Sequence, residues 1–326
     1  MLLPSIDFGN HPAYAAFARE ISSDERAAAV NQYAGNLAQA RKGLAPFQRV
    51  WQSPGRQPAP KASAIFEGLV CDGIVGLTPP TALRAFSNEV SAPYIERLRA
   101  QIAASTQEVV NAAQIRLDYN ELLRSDVGSL VKQILGNFEL MPIVSAYLGM
   151  EKVAVKAVHF KITDNRVSRG RGTLDVFQDP DVPDPATRYF HVDAPPCDLK
   201  LILYLSDVLD ISQGPFSYVV GSHAAPYISL EEFAVRAATQ AFVGKGRGAE
   251  GRRKLMCIPE MYRQRIDFGS DLLDDSPVAR DLLARERVFY SNAAEILLFD
   301  SKGIHRGAMV TRGTRLVMQV TLQGLV

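Results

Sequence analysis

The chain has 326 residues, 47% of them apolar, and its 36 basic and 35 acidic side chains leave a formal net charge of +1. Such a composition belongs to an ordinary globular protein, and near-neutrality gives no bulk field to draw nucleic acid or a membrane surface, so a small-molecule partner is expected. Three scattered cysteines, Cys71, Cys197 and Cys257, make no C-x-x-C pair and no disulfide framework, which points to a reducing, cytoplasmic setting.

Taken in order, the chain begins Met1-Leu-Leu-Pro-Ser-Ile-Asp7, without the basic region and long apolar run of a secretory signal. Its first 150 residues read as helical. Ser22 and Glu25 have capping-box spacing, and Gly43 after Arg41-Lys42 has the character of a helix stop. A Pro/Gly-rich connection, Gln52 to Lys61, follows. Gly73 to Leu77 reads as a short strand, with Thr78-Pro79 as a helix start behind it. Apolar spacing predicts a helix over 92–117 through Ile95, Leu98 and Ile102. It predicts a second over 127–136 and a short one from Pro142 to Gly149.

From residue 152 the period changes to two. Val153–Ile162 alternates as a strand. In Leu199–Leu205 the leucines take one face, and Lys200, Ile202 and Tyr204 take the other. Gly214–Gly221, Glu295–Phe299 and Arg315–Leu322 read as further strands. Residues 229–288 interrupt this pattern with helical and polar material, read as an insertion within one domain of 326 residues. The expected fold class is mainly β with flanking helices: a β core over 151–326 behind a helical amino-terminal half.

The chemistry is concentrated in His191-Val-Asp193. Residues i and i+2 of a strand project from one face, so an imidazole and a carboxylate there can seize one metal ion. His305 is the candidate third ligand, and two histidines with one carboxylate leave open positions on Fe(II) in non-haem oxygenases. Arg315, ten residues further on, has the fork that grips a carboxylate. Its final strand puts Arg315, Val317, Gln319 and Thr321 on one face, either towards solvent or lining a polar cavity. If Arg312-Gly313-Thr314 is a three-residue hairpin loop, Thr311 pairs with Arg315, and Arg315 shares the face of His305 and Gly307. A two-residue loop reverses that face.

In this order, His191-Val-Asp193, Gly214-Pro-Phe-Ser-Tyr-Val-Val-Gly-Ser-His223, His305-Arg-Gly307 and Arg315 resemble the phytanoyl-CoA dioxygenase family of Fe(II)/2-oxoglutarate oxygenases. The likeness covers roughly 68–77 and 150–326. Val220 stands where the family has proline, and Ala294-Glu295 stands where Gly-Asp is common. The resemblance implies a double-stranded β-helix (jelly roll) and iron held by His191, Asp193 and His305. It also implies 2-oxoglutarate on Arg315 and hydroxylation or desaturation of a small or medium organic molecule with O2, releasing succinate. Related halogenases replace the carboxylate that is Asp193 here with a small residue.

Four further residues have two readings each. Lys161 either helps hold 2-oxoglutarate or snorkels to the surface. Tyr204 is a cofactor contact or a core aromatic, Tyr189 a substrate contact or a core aromatic, and His223 a turn residue or a ligand. The Pro/Asp-rich stretch Asp175 to Thr187 is a candidate lid. Gly244–Gly248 with Arg252-Arg-Lys254 is either a phosphate grip, as an acyl-CoA substrate requires, or a solvated loop. A jelly-roll binding module without catalysis is the alternative from outside the enzymes.

Overall fold

The computed structural model describes residues 11, 14–15, 17–48, 63–104, 112–164, 190–193, 198–224, 228–243, 249–263, 276–308 and 310–325. The expectations on Tyr189, on 175–187, on 52–61 and on 244–248 lie outside these residues.

Two antiparallel sheets face each other, each backed by helices. On the amino-terminal side, α1 (Phe17–Glu20) and α2 (Ser23–Leu44) come first. The Ser22 hydroxyl caps α2 by accepting from the Glu25 amide at 3.2 Å, which satisfies one of the free donors of the first turn. Next come α3 (Ala64–Cys71), strand β1 (Ile74–Leu77) and the long α4 (Thr81–Ala104). Gly73 turns the chain from α3 into β1 at a φ of 80°. A side chain there would meet His223 Nδ1 at 2.4 Å, so both conformation and space require glycine.

The helix expected over 92–117 is corrected at both ends. It starts at Thr81, passes through Pro93 and stops at Ala104, and Ala112–Leu117 is strand β2. Pro93 looks like a helix start in the sequence because its missing N–H costs least in a first turn. Within β2, Ile115 and Leu117 are buried while Gln114 and Arg116 are exposed, which is a period of two. Pairing with a neighbour overrides the helix preference of the alanines.

The short α5 (Tyr119–Leu123), α6 (Asp126–Asn137) and α7 (Leu140–Leu148) follow. Strands β3 (Val153–Asp164), β4 (Asp198–Tyr204) and β5 (Phe216–Val219) come next, then helices α8 (Leu230–Val243), α9 (Ala249–Cys257) and α10 (Pro277–Arg285). The chain closes with β6 (Glu286–Phe289), β7 (Ile296–Asp300), β8 (His305–Gly307) and β9 (Thr314–Gly324).

The larger sheet has the order β1-β7-β4-β9-β3-β2 and the smaller one β6-β5-β8. Alternation assigns the faces of the larger sheet. Leu199, Leu201 and Leu203 of β4, with Leu316, Met318, Val320 and Leu322 of β9, enter the core under α3, α4, α6 and α7. The opposite face looks across to the small sheet, where Ile202, Tyr204, Leu297 and Phe299 meet Phe216 and Tyr218. This is the expected double-stranded β-helix arrangement with flanking helices.

The stretch 229–288 is less separate than an insertion implies. Its last residues are part of β6, which pairs with β5 in the small sheet. Its helices share a core with α2, where Tyr33 and Leu37 lie with Phe233, Ala238 and Leu255. Arg253 grips Glu25 through two hydrogen bonds of 2.8 Å. Among the described residues no helix is long and apolar enough to cross a membrane.

Candidate metal centre and cavity

Backbone pairing brings the two histidines together. His191 and His305 form a single antiparallel bridge, each amide donating to the other's carbonyl, at 3.0 and 2.9 Å. The Asp193 amide donates to Ser301 O at 2.9 Å, so 191–193 runs extended alongside 301–305. The i, i+2 geometry follows. His191 Nε2 lies 4.0 Å from Asp193 Oδ1, and His305 Nε2 lies 3.1 Å from Asp193 Oδ2. One donor atom from each residue lies within 4.8 Å of the others.

His305 is held from behind. His305 Nδ1 is 2.8 Å from Gly303 O. A carbonyl only accepts, so Nδ1 carries a proton and Nε2 is the ring nitrogen turned to the cavity, the orientation that a metal ligand needs. The ring is walled by Phe299, edge-on at 5.1 Å, and by Tyr218, stacked at 6.4 Å. Tyr218 donates to Asp300 O at 3.0 Å, and its hydroxyl passes so close to Gly303 that a Cβ there would lie 1.7 Å away.

Arg306 is 1% exposed and binds Glu286 in a two-bond fork of 2.7 and 2.9 Å. Its guanidinium stacks 4.1 Å over Phe190. One side chain thus steadies the neighbours of both histidines. The Asp193 carboxylate is ion-paired with Lys200. Burial works to raise its pKa, but His305, Lys200 and His191 together hold it well below the usual carboxylate range.

These groups line one end of a cavity of about 420 Å³ between the sheets. Lys161, Lys200, Gln319 and Arg315 supply its polar wall, and Ile202, Tyr204, Phe216, Phe299 and Val317 its apolar one. Arg315 donates to Gly214 O and, at 3.3 Å, to Ala308 O. Its guanidinium lies over Gly307, where a Cβ would come within 3.1 Å of both terminal nitrogens. Burial lowers its pKa.

Arg315 therefore faces the cavity beside His305, but by a different route from the hairpin register. β8 and β9 belong to different sheets, and Arg315 pairs with Thr163 of β3. Thr311 instead donates to Ser212 O at 2.7 Å.

Lys161 is a cavity residue rather than a surface lysine. Its Nζ donates to Gln319 Oε1 at 2.8 Å, and burial brings its pKa down to about 8. Tyr204 is fully buried, its hydroxyl accepts from the Phe216 amide at 3.3 Å, and burial pushes it up to about 12. His223 sits in the turn after β5 with Nε2 3.2 Å from Val70 O, apart from the three donors.

The basic residues of α9 face structural partners. Arg253 is on Glu25 and Glu20, Lys254 is on Glu250, and Arg252 is buried. Sequence reasoning assigns Lys200 no role, although its alternation with Ile202 and Tyr204 places it on the cavity face. Gly303 and Arg306 are also without a role in the sequence, because their importance lies in contacts across the sheet.

The donor set fits a divalent ion: two imidazole nitrogens and one carboxylate on a single face, with the rest of the first sphere free for a ligand. Fold and site together define a double-stranded β-helix with two histidines and one carboxylate at the end of an intersheet cavity.

No family model and no curated protein matches the chain. Among solved structures, it is similar to the non-heme alpha ketoglutarate dependent carbocyclase SnoK from nogalamycin biosynthesis, at 14% identity and a TM-score of 0.43 over 83% of this chain and 86% of that one. It is also similar to HygX from Streptomyces hygroscopicus with nickel and 2-oxoglutarate bound, at 14% identity and 0.42 over 81% and 87%. AviO1 from Streptomyces viridochromogenes follows at 13% and 0.42 over 80% and 93%.

Proposed function

We propose that the chain is a non-haem Fe(II)/2-oxoglutarate-dependent dioxygenase, a single oxygenase domain that hydroxylates or desaturates a small or medium organic molecule. The observation that carries this reading is the convergence of His191 Nε2, Asp193 and His305 Nε2 on one point of a cavity that also holds Arg315. Fe(II) and 2-oxoglutarate, when bound, supply the oxidation: O2 is consumed, 2-oxoglutarate becomes succinate and CO2, and the second oxygen atom hydroxylates the substrate.

The chain's own residues do the rest. His191, Asp193 and His305 hold the ion from one side, and the Nδ1 bond of His305 to Gly303 keeps that imidazole aimed. Arg315 receives the distal carboxylate of 2-oxoglutarate with its fork, having among the described residues two backbone carbonyls to leave. Tyr204 and Lys161, which flank Val317 on the same sheet face as Arg315, are placed to touch that cosubstrate. Phe216, Phe299 and Ile202 keep the reacting end dry.

The test is anaerobic titration of Fe(II) into the protein with 2-oxoglutarate. A visible charge-transfer band that is absent in His191→Ala is expected, as is succinate release on admitting O2. Failure of the wild-type protein to take up iron would leave the non-catalytic binding module as the reading.

A further inference from the structure

We propose that Lys200 is a built-in counter-ion for Asp193 in the metal-free protein. A divalent ion displaces it, and it then receives an oxyanion carried by the substrate. The inference rests on the dioxygenase reading and names the substrate class for that site.

The cavity is lined by three cationic side chains, Lys161, Lys200 and Arg315, and among the described residues by one carboxylate, Asp193. The other two cations have neutral partners. Lys161 is bonded to the Gln319 amide oxygen, and Arg315 to the carbonyls of Gly214 and Ala308. Lys200 alone is paired with the carboxylate, and it is paired through Oδ2, the same oxygen that lies 3.1 Å from His305 Nε2. An ion seated between the donors must take that carboxylate, and an ammonium group in contact with it repels a doubly charged ion through a medium of low dielectric. An ion that takes Oδ2, the oxygen nearer His305, and the Lys200–Asp193 pair therefore exclude each other.

Once displaced, the ammonium stays in the cavity. Lys200 is half-buried between Ile202 on its own strand and Phe299, its partner on β7, and a cation left unpaired there is costly. The distal carboxylate of 2-oxoglutarate is spoken for at the other end. Arg315 pairs with Thr163 of β3, whereas Lys200 pairs with Thr321 of β9. Six residues of β9 separate these backbone rows, roughly 20 Å at ~3.3 Å per residue, so the two side chains enter the cavity from well-separated positions along the strand. A substrate carboxylate or phosphate placed beside the metal meets the need of Lys200.

Calorimetric titration of Mn(II) into the full chain without 2-oxoglutarate tests the first half. Lys200→Met should bind Mn(II) at least about tenfold more tightly than wild type. Lys200→Arg, which keeps the charge and shows that the position tolerates a long side chain, should bind as wild type does. His191→Ala is the control: if it binds like wild type, the metal site itself is wrong. If His191→Ala loses binding while Lys200→Met is unchanged or weaker, only the Lys200 proposal falls.

Acetate and inorganic phosphate, titrated separately into protein loaded with Mn(II) and 2-oxoglutarate, test the second half and separate the two oxyanions. At least one should bind wild type and bind Lys200→Met tenfold or more weakly. No binding of either, or equal binding to both proteins, would overturn the substrate class.

Discussion

At the residue scale, the buried charges are the points where one atom decides stability. Asp198 is 3% exposed, its Oδ2 is 3.6 Å from Lys156, and its Oδ1 has no hydrogen-bond partner among the described residues. Burial raises its pKa from 3.8 to about 6, against the smaller pull of Lys156 and Lys200. The folded state then holds the proton more tightly than the unfolded chain. Asp198 gives its full stabilisation below about pH 4 and loses it as pH rises through about 6. At ~1.4 kcal/mol for each tenfold change in proton affinity the limit is roughly 3 kcal/mol. Urea unfolding of Asp198→Asn should show a flatter loss of stability between pH 4 and 7 than wild type, and a slope equal to wild type would refute the assignment.

Arg306 is the second such point. Arg306→Met strands the buried Glu286 carboxylate and removes the cation over Phe190. A loss of about 3–5 kcal/mol in unfolding free energy is expected, and replacing both partners by apolar residues should restore much of it. Neither residue was legible as important in the sequence. His191, Asp193, His305 and Arg315 were legible as candidates, because their types and spacing suggest a chemistry. A buried ion pair between β6 and β8 states nothing until the strands are paired.

At the element scale, the alternation that made the sheet legible also separates stability from function. Leu201 lies on the core face of β4 and is fully buried, while its neighbours Lys200 and Ile202 face the cavity. Leu201→Ala should lower unfolding free energy by about 2–5 kcal/mol. It should leave Mn(II) affinity within about twofold when measured well below the new midpoint. A large loss of metal binding at such temperatures would mean that the two faces are not independent.

Strands β3, β4, β7 and β9 were readable from this same period of two. β2 was not, because an alanine-rich edge strand carries a weak pattern and takes its identity from β3. The hairpin geometry drawn between His305 and Arg315 failed for a related reason. Local register says nothing about a chain that leaves one sheet for the other, as this one does between β8 and β9.

At the scale of the whole molecule, the three candidate ligand donors come from segments that are distant in the chain. His191 and Asp193 precede β4, and His305 opens β8 after the helices α8 to α10 and the strand β6. The small sheet is short, with three strands of three or four residues; the intersheet aromatics pack it on the larger sheet, and the 191–305 bridge extends its β8 edge. An ion bound by all three donors adds a further link, and it stabilises by mass action because the unfolded chain does not present the site. At a hundred times its Kd the gain is about 2.7 kcal/mol. For a chain of this size, at ~2.1 cal/mol/K of unfolding entropy per residue, that is on the order of 4 °C in Tm. Saturating Mn(II) should therefore raise the wild-type melting temperature by several degrees, chelation should reverse the rise, and His305→Ala should show none of it. A shift of equal size in His305→Ala would place the stabilising ion elsewhere on the molecule.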